Sequence, residues 1–159
     1  MFNDDIDRTD FCNRLARCVR EVDWTLRAFC VMTTHYHLLL EVEENRLQAG
    51  MQWLNGTYAQ RFNRRHGRWG HLAGQRFWHT PIVSERQLYR CVRYIALNPV
   101  EAGACERPQD WLWSSYAGLA GYRRGFPFVD DSSIRALFGH GPNRTELLRA
   151  FVEEAVTVP

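Results

Sequence analysis

The stretch Thr34-His35-Tyr36-His37-Leu38-Leu39-Leu40 decides the reading of this chain. Side chains alternate faces along a β-strand, so on a strand His35 and His37 point one way while Tyr36 and Leu38 point the other. Two imidazoles held on one face of a rigid element make half of a metal site, because neutral imidazole nitrogen is the commonest protein ligand for a catalytic divalent ion. His-x-His also recurs by chance as an inert, hydrogen-bonded pair at a strand end. A tyrosine far downstream shifts the balance.

Working outward, Trp24 to Met32 is rich in aromatic and β-branched residues and reads as a strand. Joined by the short Thr33-Thr34 link, it pairs with His35 to Val42 as an antiparallel hairpin. Upstream, from Asp7 to Val22, Phe11, Leu15, Val19 and Val22 recur at three- and four-residue steps, the pattern of an amphipathic helix. Downstream, after the polar break Glu43 to Arg46, a second helix runs from about Leu47 to Arg65 with a stripe of Leu47, Met51, Leu54, Tyr58 and Phe62. Gly67, Gly70 and Gly74 mark a loop, and Arg76 to Val83 reads as a further strand. Ser84 is the N-cap of a third helix from Glu85 to about Asn98, where Pro99 discourages continuation. The order helix, strand, strand, helix, strand, helix predicts an α+β sandwich with helices on one face of an antiparallel sheet. The aromatic run Trp111 to Tyr116 is read as core, and Asp130 to Phe138 and Asn143 to Ala155 as two short helices.

With 159 residues, 45% of them hydrophobic, the chain can bury one core and is too short for two ordinary domains. A main domain of residues 1–116 and a helical C-terminal extension of residues 117–159 are expected. The five cysteines are odd in number and form no C-x-x-C pair, so they read as small core residues in a reducing compartment. No apolar run approaches the roughly 20 residues that a membrane helix needs, and no charged-then-apolar leader opens the chain. The expectation is a cytoplasmic protein with no membrane partner.

A formal charge of +2 hides an uneven distribution. All the basic residues are arginines, and between Arg61 and Tyr94 stand Arg61, Arg64, Arg65, Arg68, Arg76, Arg86, Arg90 and Arg93 against the single acid Glu85. The planar guanidinium fork fits phosphate oxygens and stacks on bases, so this surplus, interleaved with Phe62, Trp69, Phe77 and Trp78, suits a nucleic-acid groove. A solvated helix face, with arginines favoured by genome composition, is the competing explanation.

On the third helix Leu88, Val92 and Ile95 form the buried stripe, whereas Gln87, Arg90, Tyr94 and Asn98 share a mostly polar face. Tyr94 off the core stripe, beside Arg90 and Arg93 and with Asn98 as an extra oxygen donor, has the makings of a phosphate-directed nucleophile; without the histidine pair it reads better as an ordinary amphipathic tyrosine at a core margin. Combined with a metal on the histidine pair, a phenolate at Tyr94 would attack phosphorus and give a covalent phosphotyrosine and a free 3′-hydroxyl.

These residues resemble those of the REP-associated tyrosine transposases, relatives of the single-tyrosine HUH transposases of small insertion sequences. The resemblance runs from about Ile6 to Tyr116. Cys30 to Leu40 is similar to the histidine-hydrophobic-histidine strand, with Thr33-Thr34 where Pro-Asn or Pro-Glu is usual. Gly70 to Phe77 is similar to the loop into the fourth strand, Arg93 to Gly103 to the tyrosine helix, and Pro108 to Tyr116 to the closing signature. The resemblance implies a ferredoxin-like antiparallel sheet with helices on one face. It implies His35, His37 and Asn98 as metal ligands for magnesium or manganese, Tyr94 as nucleophile, and single-stranded DNA hairpins of repeated extragenic palindromes as substrate. Arg61, Arg64, Arg65, Arg68, Arg76, Arg90 and Arg93 are the expected DNA-binding set. Family members carry a strand before the first helix; here Met1-Phe2-Asn3 leads almost directly into that helix, so the sheet is expected to lack it and to expose an edge beside the histidine strand. A misplaced start, another strand filling the gap, or a decaying copy would each account for this.

The expected activity is metal-dependent cleavage and strand transfer of single-stranded DNA, by a monomer or a homodimer. The alternative is a catalytically impaired DNA-binding remnant that binds hairpins with strong salt dependence and forms no adduct. A structural zinc protein is disfavoured, since no four-ligand Cys/His set is visible.

Overall fold

The computed structural model describes residues 1–72 and 77–154, which fall into two compact units. The first comprises Met1–Thr25, Thr33–His35 and Glu41–Pro81. It is built on two helices, α1 (Asp5–Glu21) and α2 (Glu44–His66). Asp4 caps α1, its side chain accepting from the Asp7 amide at 3.0 Å. The apolar spacing then does what amphipathic patterning requires: Phe11, Leu15 and Cys18 of α1 are buried with Met51, Leu54, Tyr58 and Phe62 of α2. Phe2 joins them, its ring 5.2 Å from that of Phe11 and its amide donating to the Thr33 carbonyl at 2.9 Å. Tyr58 stands edge-on to Phe11 at 5.3 Å and donates its hydroxyl to the Met1 carbonyl.

Gly50 is dictated by packing rather than by backbone conformation. A β-carbon there would lie 2.2 Å from a ring atom of Trp24, which is buried and donates its indole N–H to the Arg46 carbonyl. Gly→Ala inside a helix normally stabilises by about 1 kcal/mol. Here the sign reverses: Gly50→Ala is expected to destabilise by about 1–3 kcal/mol through overpacking, read from the urea midpoint at unchanged slope.

The second unit comprises Leu26–Met32, Tyr36–Leu40 and Ile82–Pro159. Its strands, β1 (Thr25–Val31) and β2 (Tyr36–Glu41), form an antiparallel sheet. On it packs α3 (Glu85–Glu101), capped by Ser84, whose side chain accepts from the Gln87 amide. Ala28, Cys30, Met32 and Leu39 from the sheet share one core with Val92, Ile95, Ala96 and Leu97. The fold is therefore α+β, with a helix packed on an antiparallel sheet.

The edge of β1 not used by β2 is occupied as well. Val31 donates to the Trp113 carbonyl at 2.8 Å, Ser115 donates to the Phe29 carbonyl at 3.0 Å, and Cys30 bridges Ser114 in antiparallel sense. Ser115 also accepts from the Phe29 amide through its hydroxyl at 2.9 Å, so backbone groups that would be orphaned at a bare edge are satisfied. The aromatic run thus pairs with the β1 edge through an isolated bridge as well as supplying core: the Trp111 indole donates to the Val31 carbonyl and Tyr116 is buried. A 3₁₀ turn (Pro108–Asp110) precedes it, and α4 (Tyr116–Leu119), α5 (Ser132–Ala136) and α6 (Arg144–Glu153) follow. Ile134, Leu148 and Val152 lie in the same core as β1 and α3.

Two expectations are corrected. The proposed strand at Arg76 to Val83 does not form across Phe77 to Val83, whereas Ala73 to Arg76 lie outside the described residues. Trp78 and Val83 are 87% and 80% exposed, so no buried face stabilises the extended conformation, and Pro81 lacks an amide for a ladder. Similarly, α3 does not stop at Asn98 but carries Pro99 in its last turn. Burial of Leu97, Asn98 and Pro99 outweighs the local penalty, and only the end of the hydrogen-bond ladder is touched. Among the described residues the cysteines are free, three buried and two half-buried; burial pushes the Cys12 thiol up to about 12 and that of Cys18 to about 11, so both are inert.

Candidate functional site

In the second unit β2 and α3 bring His37 and Tyr94 together. Their rings meet edge to face, with centroids 5.0 Å apart at 76°. The alternation of β2 and the helical period of α3 explain the meeting. Leu39 and the pair Val92/Ile95 turn into the core, which fixes the rotation of both elements and leaves His37 and Tyr94 at its margin. His37 is half-buried with Nε2 shielded from solvent, whereas Tyr94 is 48% exposed and reachable by a substrate. Asn98, one helical turn beyond Tyr94, is buried at 8% exposure.

The other tyrosines sharpen the choice. Of the six, Tyr58 donates its hydroxyl to the Met1 carbonyl, Tyr89 to the Leu137 carbonyl, and Tyr116 and Tyr122 both to Glu153 Oε1. Burial raises the pKa of Tyr58 and Tyr116 far above that of an ordinary phenol, and for Tyr116 the Glu153 carboxylate adds to it. A phenol with a raised pKa and an engaged proton is a poor nucleophile.

His35 lies in the first unit, one residue before β2, exposed, with Nδ1 3.0 Å from the Thr34 hydroxyl. The strand alternation that pairs it with His37 on paper therefore begins only at Tyr36. Among the described residues, no group of three or more His, Cys, Asp or Glu side chains is placed to hold a metal. A divalent ion here would depend on imidazole and amide donors, with water or the phosphate itself completing its shell.

The expected DNA-binding arginines divide. Arg64 and Arg68 are exposed at the C-terminal end of α2, and Arg61 is exposed with Asp10 at 3.8 Å. Arg65 is instead engaged within the first unit: it donates to Asp4 at 2.6 Å and to the buried Asp7 at 2.5 Å. Arg90 is exposed on α3, whereas the Arg93 guanidinium lies 5.1 Å from the Phe151 ring. Arg76 lies outside the described residues. The sequence reading missed the role of Ser114 and Ser115 on the β1 edge; the small hydroxyls interrupting an aromatic run were the available signal.

A family model described as IS200-like transposase matches residues 1–96, spanning His35, His37 and Tyr94. The chain belongs to the IS200-like transposase family. It is 28% identical over 100 residues to a Haemophilus influenzae protein named as a candidate REP-associated tyrosine transposase. That alignment covers 56% of this chain and 57% of the relative, so the chain matches just over half of the relative's length. No solved structure matches. The family model ends two residues after Tyr94, so Asn98 rests on its place on α3 alone.

Proposed function

We propose that this IS200-like transposase cleaves and rejoins single-stranded DNA through Tyr94. The observation that carries the reading is the contact of the exposed Tyr94 phenol with the His37 imidazole, inside the segment that the family model matches. In the proposed step the Tyr94 oxygen attacks the scissile phosphorus and the bond from phosphorus to the 3′ oxygen breaks. The products are a 5′-phosphotyrosine and a free 3′-hydroxyl; attack by the 3′-hydroxyl of a second end reverses the step and joins the strands. No nucleotide triphosphate is required, since the phosphodiester energy is retained in the phosphotyrosine.

His37 and Asn98 are the second unit's candidates for holding magnesium or manganese, and His35 is added by its spacing from His37. Such an ion, when bound, polarises the phosphate as a Lewis acid. The chain's own part is to hold the Tyr94 ring against His37, keep its hydroxyl accessible, and present Arg90 one turn away toward the phosphate backbone. DNA hairpins are the proposed substrate class, as for the expected family relatives.

The test is the polarity of the product. With manganese and a hairpin oligonucleotide, a label at the 3′ end is expected to migrate with the protein on a denaturing gel. A label at the 5′ end is expected to leave on a fragment with a free 3′-hydroxyl. Protein-linked 5′ label, or cleavage with no linkage, would refute the scheme.

A further inference from the structure

We infer that the end of α2 and the turn after it form a base-stacking platform for unpaired DNA, with Trp69 as its main ring, Trp78 as a second, and Arg64 and Arg68 as its phosphate contacts. The inference rests on the proposed DNA substrate and adds how the strand is gripped.

Trp69 is 96% exposed and Trp78 is 87% exposed. Tryptophan is highly buried on average, so two nearly bare indoles in one unit mark a surface that acquires a partner. Trp69 is also presented on an anchored turn. Gly67 closes α2 in the left-handed conformation, and the Arg68 amide donates to the Asn63 carbonyl at 2.9 Å. The Asn63 side chain then reaches past Trp69 to the Gly70 carbonyl at 2.7 Å. The backbone on either side of Trp69 is thus tied to Asn63, so the turn that presents the exposed indole is already ordered before binding, which lowers the ordering cost.

Charge identifies the occupant. From Arg61 to Ser84 the sequence contains no Asp or Glu, and Arg64 and Arg68 flank the turn on the exposed surface. An apolar protein partner would not call for exposed guanidiniums beside the ring, whereas a polyanion with flat faces does; Asp4, Asp7 and Asp10, which also face the end of α2, are engaged by Arg65, His66 and Arg61 rather than by Arg64 or Arg68. Exposed aromatics among arginines grip single strands by stacking on bases while the cations follow the phosphates. In duplex DNA the base faces are hidden, so the platform favours unpaired segments.

Binding is measured by anisotropy with EDTA present, using a mixed-sequence single-stranded oligonucleotide and its blunt duplex over a range of salt. Trp69→Ala is expected to weaken single-strand binding by about 5-fold to about 100-fold, with Trp78→Ala within the same range. Both are expected to leave the salt slope and duplex binding unchanged, and Trp69→Phe retains most of the affinity. Arg64→Ala and Arg68→Ala should each lower the slope by about 0.7. Circular dichroism and the thermal midpoint confirm that the exposed substitutions leave the fold intact. Unchanged single-strand affinity of Trp69→Ala, equal losses on duplex and single strand, or a change in oligomeric state without DNA would each overturn the platform. Adduct formation by Trp69→Ala at saturating oligonucleotide reports separately on Tyr94, so the two readings fail independently.

Discussion

Tyr94→Phe is expected to abolish the covalent protein–DNA adduct, lowering its rate by on the order of 10³-fold or more while hairpin affinity stays within about 2-fold. The substitution removes one oxygen and keeps the ring, so the edge-to-face contact with His37 and the packing of α3 remain. Because Tyr94 is nearly half exposed and off the core stripe, stability is expected to change by less than about 0.5 kcal/mol. The informative control is Tyr36→Phe, one residue from each histidine in sequence, which is expected to form adduct at the wild-type rate. An adduct persisting in Tyr94→Phe and lost in Tyr36→Phe would move the nucleophile to β2. Loss of both adduct and binding in Tyr94→Phe would return the site to a DNA-binding role.

Much of this site was legible because periodicity carries it. The spacing of Leu88, Val92 and Ile95 placed Tyr94 off the core stripe, and strand alternation gave His37 a defined face; the structure sets the two against each other because both elements bury one face, which fixes their rotation. Residues outside a buried element escaped. Phe77 to Val83 has strand composition, yet composition without a covering face does not make a strand. Pro99 was read by its local rule, which tertiary burial overrode. Trp113 to Ser115 was recognised as packing but not as an edge partner, because pairing between residues 29–31 and 113–115 leaves no local signature. Arg65 shows the same limit for charge. A sequence lists its cations, and only the fold reveals which of them face carboxylates.

That last distinction can be tested by removing Asp7. Its side chain is 2% exposed and holds the Asn3 amide at 2.9 Å, Arg65 at 2.5 Å and His66 Nε2 at 3.0 Å, tying the start of α1 to the end of α2. Burial by itself would raise its pKa, but the bonds from His66, Asn3 and Arg65 prevail and hold it below the ordinary value. Asp4, bonded first to Arg65 and then to the Asp7 amide, is held at about 2. Asp7→Ala leaves donors facing a void and is expected to cost about 3 kcal/mol, lowering the thermal midpoint by about 6–12 °C. Asp4→Ala, on a largely open side chain, is expected to cost less. The pH dependence has a definite sign. Both carboxyls titrate lower in the folded chain than near 4 in the unfolded one, so their contribution is present above about pH 4 and is lost as the pH falls below it, for Asp4 through about 2. Urea unfolding of the wild type between pH 5 and pH 2 is expected to show this acid limb, and the double variant Asp4→Asn, Asp7→Asn to lose it. A wild-type stability flat across that window, or an Asp7→Ala variant as stable as wild type, would free Arg65 from this network and return it to the surface available for DNA.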